Sequence, residues 1–479
     1  MQLAVCILVA LSTACGADSS SGGPTPPPVA STDTLSIVSI SPADGTVDLL
    51  WPTVQVQADV PLEPIPLVLG AVTLSENGVA LTPVFTLVGD RRTFSMDVAM
   101  LPGQEYVLEL TTSLQGTGGE KLATAQSVTF ATRAPRVADI VPASASLRQW
   151  IALDAEGGRH VLSIDASAGT VTYGTCRTAD CGSAGAWASA VVESVPLSAL
   201  ATGSIAVDAQ GRVHVTYPIL ATTTLRYATC AGSCEAAANW TRADVDTSAN
   251  PGLWSAIRSD AAGRLHVVYS DWGDGGLRYA TCAVTCATTA DWASVALPVP
   301  LQGVQDVDLA VAGSGTLSVI LRGQGTAHSI VVAECVAVCL STAAWQVGTL
   351  LESAQPSGGT AIAVDVDGVR HAAFQAASTQ LVYATCQREC GEAGQWQRVT
   401  LPVTTAGHSP GIATARGRLA LVAGSSLLAT CRAACTAASN WRAKSLGGAS
   451  TTWNHPRVAM STSGQPLIVT GRGGAQYLE

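Results

Sequence analysis

Between Leu35 and Thr132, apolar and polar residues alternate along short segments separated by turn residues about every ten positions. Strict alternation puts successive side chains on opposite faces of an extended chain, so each segment predicts a strand with one buried face. Seven such segments follow one another: SIVSISP, TVQVQADV, AVTLSENG, FTLVGD, TFSMDVA, EYVLELTT and SVTFATR. Seven strands is the number found in a β-sandwich.

Beyond Arg133 the pattern becomes a repeat. Six segments carry two cysteines separated by three or four residues, and a tryptophan follows the second cysteine by six positions. The cysteine pairs are Cys176/Cys181, Cys230/Cys234, Cys282/Cys286, Cys335/Cys339, Cys386/Cys390 and Cys431/Cys435. The tryptophans are Trp187, Trp240, Trp292, Trp345, Trp396 and Trp441.

A second marker, Asp-x-x-Gly-x-x-His, precedes the cysteine pair in each repeat. Four copies are intact, and three degenerate copies keep only the glycine, at Gly315, Gly417 and Gly464. A unit of about 50 residues with four strands is the size of a β-propeller blade. The last unit lacks an outer strand, and residues 136–141 offer one. The sequence therefore predicts a seven-bladed β-propeller over residues 134–479, its ring closed by an N-terminal strand.

The N-terminus has the pattern of an export signal. An apolar run from Leu3 to Ala14 is too short to span a bilayer and suits the core of a signal peptide. Its end, Leu11 to Cys15, resembles a bacterial lipobox, which implies lipidation of Cys15. Ser12 departs from the preferred Leu, and no Lys or Arg follows Met1. An ordinary secretory signal with an incidental Cys is the alternative. Residues 1–15 are thus read as signal, and the Ser/Gly/Pro-rich residues 16–34 as a linker.

Three landmarks in residues 35–133 resemble the bacterial Ig-like family typified by the S-layer protein SbsA. They are Ser-Pro-Ala-Asp-Gly at 41–45, Leu-Pro-Gly-Gln-Glu-Tyr at 101–106 and Thr-Phe-Ala-Thr at 129–132. The resemblance implies an Ig-like β-sandwich that acts as a spacer. This span contains no Cys, so it lacks the inter-sheet disulfide of antibody domains.

Composition narrows the classes of partner. The 479 residues are 47% apolar and 13% charged, which suits a folded chain better than a disordered one. The formal net charge is -10, and no basic run occurs, so we expect no nucleic-acid partner. The expected partners are a glycan or a surface protein, with membrane attachment through the lipid anchor only. We expect no cofactor.

The repeated residues are interpreted as structural. Both cysteines of a pair are expected in the loop that joins the third and fourth strands. In an exported chain, two cysteines this close predict a local disulfide, whereas a zinc site needs four ligands, and each repeat supplies only one pair at a given place. The repeated Trp is expected to begin the fourth strand and pack between blades. The Asp of the marker can bond its own turn, and the His can begin the next strand.

Residues that break the repeat are the candidate ligand contacts. They fall in the links between blades and in the loops between second and third strands, which share one face. The predicted ligand-binding residues are Trp254, Asp271, Trp272, Asp274, His408, Trp453 and His455. Tryptophan beside Asp and Asn suits sugar binding. The alternative is that these aromatics only fill loops or the central channel. Two carboxylates are too few to predict calcium, so no metal site is assigned.

No set of residues predicts a reaction, so no catalytic residue is assigned and the chain is not expected to be an enzyme. The expected function is non-catalytic binding or adhesion by an exported protein, lipid-anchored to the bacterial outer membrane or cell surface. Two alternatives remain: a glycan-active propeller enzyme, such as a glycosidase or lyase, and a scaffold of an envelope complex.

Overall fold

The computed structural model is all-β over the residues that it describes, where the helices have at most five residues. It describes residues 34–48, 52–141, 147–178, 180–197, 202–219, 222–247, 251–273, 276–283, 285–324, 328–353, 358–377, 379–404, 409–424, 427–446, 455–470 and 475–478. Within these ranges, no helix is long and apolar enough to cross a membrane.

The N-terminal part contains two larger sheets and one two-stranded sheet. Its strands are β1 Thr34–Leu35, β2 Ile37–Ser41, β3 Val47–Asp48, β4 Val54–Ala58, β5 Val72–Glu76, β6 Val79–Ala80, β7 Val84–Val88, β8 Thr93–Asp97, β9 Glu105–Leu110, β10 Lys121–Leu122 and β11 Gln126–Thr132. A short α1 (Pro64–Pro66) and a π-helical turn (Leu67–Ala71) precede β5. The sheet orders are β3-β11-β9-β5-β6, β2-β4-β8-β7 and β1-β10. Each of the seven predicted segments overlaps one of these strands.

The two larger sheets share one hydrophobic core, because alternate residues of their strands point inward. Val54, Val56 and Phe94 come from one sheet, and Leu108 and Phe130 come from the other; all are buried. The burial pattern of β4 alternates strictly between buried and exposed, as the sequence predicts.

Seven four-stranded antiparallel sheets follow in the described part of the chain. We number these sheets 1 to 7, in the order in which their first strands occur along the chain. Sheet 1 holds β13 Leu147–Leu153, β14 Arg159–Asp165, β15 Thr170–Cys176 and β16 Ala188–Ser194; sheet 2 holds β17 Ser204–Val207, β18 Val213–Ile219, β19 Thr224–Cys230 and β20 Thr241–Asp246. Sheet 3 holds β21 Pro251–Ser259, β22 Leu265–Asp271, β23 Leu277–Cys282 and β24 Ala293–Ala296; sheet 4 holds β25 Gln302–Val311, β26 Leu317–Gln324, β27 His328–Cys335 and β28 Trp345–Ser353. Sheet 5 holds β29 Thr360–Val364, β30 Arg370–Ala377, β31 Gln380–Cys386 and β32 Gln397–Thr404; sheet 6 holds β33 Gly411–Ala415, β34 Arg418–Ala423, β35 Leu427–Cys431 and β36 Arg442–Ser445.

Sheet 7 joins the two ends of this region. It holds β37 Arg457–Met460, β38 Pro466–Thr470, β39 Ala475–Leu478 and, as its outer strand, β12 Val137–Val141. The pairing of β12 with β39 is antiparallel, as the sequence predicts. The first strands contact one another in cyclic order from sheet 1 to sheet 7, and β37 contacts β13. This arrangement is consistent with repeated, propeller-like blades.

The six predicted disulfides are all present, each within one sheet and with Cα atoms 5.7 to 5.9 Å apart. They join Cys176 to Cys181, Cys230 to Cys234, Cys282 to Cys286, Cys335 to Cys339, Cys386 to Cys390 and Cys431 to Cys435.

The placement of the first cysteine differs from the expectation that both lie in the loop between the third and fourth strands. The first cysteine of every pair is the last residue of the third strand, because its backbone still pairs with the second strand, as Cys230 does with Val213. Only the second cysteines lie in the loop: Cys181, Cys234, Cys286, Cys339, Cys390 and Cys435. Each disulfide therefore ties the loop to the end of a strand.

A single 3-10 turn of three residues follows the second cysteine and places the repeated Trp just before or at the start of the fourth strand. These turns are Ala184–Ala186, Ala237–Asn239, Thr289–Asp291, Thr342–Ala344, Ala393–Gln395 and Ala438–Asn440. In the second copy, the Trp240 indole N–H donates to the Cys234 carbonyl at 2.9 Å.

The repeated Trp packs against the preceding sheet. Trp240 of sheet 2 meets the Tyr173 ring of sheet 1 edge-on, with centroids 5.2 Å apart. Three further Tyr–Trp pairs repeat the contact at 4.9 to 5.4 Å: Tyr227–Trp292, Tyr279–Trp345 and Tyr383–Trp441. The tryptophans are therefore packing residues between sheets, as expected.

The N-terminal part contacts sheet 6. Arg432 forms an ion pair with Asp97 at 2.6 Å, and the Lys444 ammonium donates to the Pro102 carbonyl at 2.6 Å. Arg442 forms an ion pair with Glu76, which also accepts a hydrogen bond from the Tyr106 hydroxyl. Charged groups of sheet 6 thus hold the N-terminal part in place.

Candidate functional site

The Asp and His of the repeated marker form a closed hydrogen-bond chain. In sheet 2, the Asp208 carboxylate accepts from the Gln210 and Arg212 amides at 2.9 Å each, and so holds the turn. Its other oxygen lies 3.2 Å from His214 Nε2, and His214 Nδ1 lies 2.7 Å from the Tyr227 hydroxyl. Sheets 1, 3 and 5 repeat this Asp–His–Tyr chain with His160, His266 and His371.

Burial controls the protonation of these groups. It lowers the pKa of His214 below its ordinary value, although Asp208 acts in the opposite direction. Burial raises the pKa of Tyr227 to about 12. A neutral imidazole held between a carboxylate and a phenol in four sheets is a packing element, and the contacts support the structural interpretation of the marker.

Sheet 4 lacks the His and the Tyr, and an arginine from the next sheet takes their place. Ser318 stands at the His position, where it accepts a hydrogen bond from Arg370 Nε at 3.1 Å. Arg370 also pairs with Glu334 at 2.6 Å, and the second Glu334 oxygen accepts from the Cys390 amide at 2.9 Å. One buried ion pair therefore joins sheets 4 and 5.

Because neighbouring strands are antiparallel, the connections between strands lie on two opposite faces. Turns between first and second strands and the disulfide loops lie on one face, which we call the turn face. The links between sheets and the loops between second and third strands lie on the other, the linker face. Each first strand therefore begins at the linker face.

On the linker face, one set of equivalent positions holds a different residue type in each of the seven sheets. In every sheet, the residue six positions before the start of the turn between the first and second strands occupies the same place in the strand register. We call these seven residues the mouth ring: Arg148, Thr202, Trp254, Asp306, Gly359, Ser409 and His455. Seven equivalent positions thus hold seven residue types, whereas the Asp, Gly, His, Cys and Trp of the scaffold recur.

Contacts within the mouth ring run around the linker face. The Arg148 guanidinium lies 6.0 Å from the centre of the Trp254 ring, which is within range of a cation–π contact. His455 Nδ1 lies 3.2 Å from the Ser409 hydroxyl. A Cβ atom at Gly359 would stand 1.8 Å from an Asp306 carboxylate oxygen and 2.0 Å from the Ser409 hydroxyl, so only glycine fits between them.

Below the mouth ring lies a cavity of about 300 Å³ enclosed by the first strands. Two positions further along each first strand, a second ring lines it, which we call the cavity ring: Trp150, Ser204, Ala256, Asp308, Ala361, Gly411 and Arg457. Thr202 and Asp306 of the mouth ring also line it. The volume is at the lower end of the range for small-molecule sites.

The cavity and its mouth are polar and charged. Arg258 is paired with Asp308 at 2.7 Å. Asp306 is 3% exposed, and one of its oxygens accepts from the Thr360 amide at 2.9 Å. Arg322 lies opposite Asp306 in the register of β25 and β26.

Electrostatics link the arginines on this face. Burial lowers the pKa of Arg148 to about 10; Asp306 opposes that shift, and the nearby Arg457 adds to it. Burial also lowers the pKa of Arg322, again opposed by Asp306. Arg148 and Arg322 thus both interact electrostatically with the Asp306 carboxylate, and Arg457 acts on Arg148.

The predicted ligand residues fall in two places. Trp254 and His455 belong to the mouth ring. Trp272 is 47% exposed in the loop of sheet 3, whereas Asp271 is 3% exposed and accepts from the Gly273 amide at 2.8 Å. Asp271 also lines a separate groove of about 390 Å³ formed by sheet 3 and the link to sheet 4. The remaining predicted residues, Asp274, His408 and Trp453, and the lipidation residue Cys15 lie outside the described residues.

The sequence reasoning did not select Arg148, Arg322, Arg457 or Asp306. Arg322 did carry a signal, because its counterparts in the other second strands include Ile164, Pro218, Ser270 and Gln375, none of which is charged. Aligning the first strands on the hairpin turn would also have placed Arg148 and Asp306 in one ring with Trp254.

Metal ligands are not clustered. Within the described ranges, no group of three or more His, Cys, Asp or Glu residues could hold a metal ion.

Comparison with protein-family models and with curated proteins gave no match. Among solved structures, AofleA from Arthrobotrys oligospora is similar at 12% identity over 62% of this chain and 85% of that chain, with a TM-score of 0.42. The Aleuria aurantia lectin in complex with Fucalpha1-6GlcNAc is similar at 11% identity over 57% and 89% of the two chains, with a TM-score of 0.39. An ulvan lyase, a polysaccharide lyase, matches at 10% identity over 71% and 94%, with a TM-score of 0.44. TM-scores this low carry no argument about this chain.

Proposed function

We propose that this chain is an exported glycan-binding protein whose binding site is the mouth ring on the linker face of a closed seven-bladed propeller. An Ig-like sandwich at residues 35–133 presents the propeller, and the lipidated Cys15 anchors it to the outer membrane or cell surface. The observation that carries the proposal is the mouth ring itself.

In a repeat protein, positions that share a structural task keep the same residue. The mouth ring shares a location but not a residue type, so its side chains have no common structural task, although Thr202 and Asp306 each bond the backbone of the next sheet. Trp254 offers an aromatic face, Thr202 lines the cavity, and Ser409 and His455 bond each other in the same ring. An aromatic platform ringed by polar groups is the composition that binds sugars.

A non-catalytic role is part of the proposal. The four histidines of the intact markers are buried and bonded on both ring nitrogens, as His214 is by Asp208 and Tyr227. The Tyr217 hydroxyl donates to Glu193 between sheets 1 and 2, and burial raises the pKa of Tyr217 far above its ordinary value. These contacts support structural roles for groups that could otherwise act as acids or bases.

Export is supported by the six disulfides, since such bonds persist in oxidising compartments.

The test is a glycan array probed with the full chain, followed by calorimetric titration of each hit. Trp254→Ala should weaken binding about tenfold or more, because aromatic anchors dominate such sites. Trp272→Ala is the matched control, since it removes the same side chain from an exposed loop of sheet 3 outside the mouth ring, and it should leave affinity unchanged. The reverse result would move the site to that loop. An array without any saturable hit would refute glycan binding and favour the scaffold role.

A further inference from the structure

Most edge strands in the described part of the chain are short or irregular. An exposed edge presents backbone N–H and C=O groups that can pair with another chain, and short, bulged or charged edges prevent this. Five outer strands of sheets 1 to 7 pair with a register irregularity (β12, β16, β20, β28 and β32), and the other two, β24 and β36, have four residues each. In the N-terminal part, β1, β3, β6 and β10 have two residues each, and β2 has a register irregularity. These edges offer little regular backbone for a further strand.

Among the described edges, β7 is the exception. It is the last strand of the sheet β2-β4-β8-β7, and its five residues pair with β8 without any irregularity. No charged residue occurs between positions 79 and 89. Val84 and Val88 are 48% and 47% exposed, and Thr86 between them is also exposed. The strand is therefore regular, uncharged and uncovered, which are the properties of an edge that accepts another strand.

The sequence of β7 indicates which strand pairs with it. Its five residues, Val-Phe-Thr-Leu-Val, read almost the same in both directions. An antiparallel copy on a two-fold axis at Thr86 sets Thr86 opposite Thr86 of the other copy. Val84 then lies opposite Val88, and Phe85 lies opposite Leu87, and apolar and Thr–Thr pairs of this kind stabilise neighbouring strands. A charge near such an axis would face its own copy, and this stretch has none.

The edge remains open where the N-terminal part contacts sheet 6. Asp97, which pairs with Arg432 at 2.6 Å, belongs to β8, one strand inside the edge. A groove of about 570 Å³ lies between the two parts, and Val84 is among its lining residues. At the other end, β7 leads into an exposed turn over residues 89–92. Sheet 6 therefore approaches one end of β7 without covering it.

We propose that two copies of this chain associate through β7, with the two strands antiparallel about a two-fold axis at Thr86. The two four-stranded sheets then form one continuous sheet across the axis. Backbone hydrogen bonds between the two edges hold the copies together, and the cross-strand pairs fix the register. Phe85 and Leu87 already pack against the core of the N-terminal part, so the joined sheet extends an existing apolar surface.

Sedimentation velocity of the full chain over a range of concentrations tests the association. We expect a concentration-dependent species of twice the chain mass of 48.7 kDa. Thr86→Lys places two like charges opposite each other at the axis and should weaken the association about tenfold or more. Ser39→Lys is the matched control and should leave the association unchanged, because Ser39 is an exposed hydroxyl residue in β2, the other edge of the same sheet. Thermal melts confirm that each variant is folded.

Single cysteines test the register, and they do so even if Thr86→Lys does not fold. Residues directly opposite each other in antiparallel strands have Cα atoms about 4.5–5.5 Å apart, which a disulfide can span. Thr86→Cys should therefore give a disulfide-linked dimer on non-reducing gels, and Ser39→Cys should not. Val84→Cys and Val88→Cys should each form linked dimers only when the two variants are mixed.

Three results would overturn the proposal. The first is a chain that sediments as a monomer at every concentration, and the second is a Thr86→Lys variant that associates like the wild type. The third is a Val88→Cys variant that links to itself as readily as Thr86→Cys does, because the two-fold register keeps those positions apart. A monomeric chain that binds an extended peptide along β7 would assign the edge to a different partner and so also overturn pairing between copies.

Discussion

The buried ion pair between sheets 4 and 5 allows a quantitative prediction. Arg370 and Glu334 are 10% and 5% exposed in their side chains, and their charged atoms lie 2.6 Å apart. Glu334→Gln removes the negative charge and leaves one side-chain oxygen, which can accept from the Cys390 amide but then not from Arg370. The Arg370 cation then stays buried without its counter-ion. Removing one partner of such a pair costs about 3–5 kcal/mol, and because one of the two hydrogen bonds to Glu334 is lost as well we expect about 4 kcal/mol.

The assay is urea unfolding at neutral pH with the disulfides intact, followed by tryptophan fluorescence. Glu352→Gln, in the same sheet but exposed, is the matched control and should change the free energy of unfolding by less than about 0.5 kcal/mol. Adding Arg370→Met to Glu334→Gln removes the stranded cation. The double variant should therefore recover about 1–2 kcal/mol of the loss.

Equal, small effects of Glu334→Gln and Glu352→Gln would refute the reasoning, since they would show that the pair is solvated. A double variant less stable than Glu334→Gln alone would contradict the idea that the stranded cation causes the loss.

Three further predictions concern the scaffold. Because burial holds the pKa of His214 below its ordinary 6.5, the unfolded chain takes up protons first on acidification. The contribution of His214 to the free energy of unfolding should therefore be fully present above that pH and decrease as the pH falls through it. Urea midpoints that stay constant down to about pH 5 would contradict this. Replacing Cys230 and Cys234 together by Ser opens a loop of about five residues and should cost roughly 2 kcal/mol in the same assay; no change would show that the loop is equally ordered without the bond. Trp292→Ala should lower the free energy of unfolding by about 3–5 kcal/mol, whereas Trp272→Ala should lower it by under about 1 kcal/mol. Similar losses would show that the packing between sheets contributes little to stability.

Much of the fold could be predicted from the sequence because its determinants are local. The Cys230–Cys234 ring spans four residues, and Asp208 bonds amides two and four residues further on. Because these interactions involve residues close in the sequence, they form wherever the same short motif recurs. The repeat in the sequence therefore predicts a repeat in the structure. Even the pairing of β12 with β39 followed from counting strands.

Only part of the candidate site could be predicted from local sequence patterns. Trp254 and His455 were selected because they interrupt the repeat, but nothing local relates Arg148 to Asp306, which is 158 positions away in the printed sequence. Their relation depends on how the first strands are arranged around the cavity. The sequence by itself determined strands, turns and disulfides, since short-range contacts specify them. Only the tertiary structure decided which unrepeated side chains share one mouth, because charges from distant sheets interact once folding has removed the water between them.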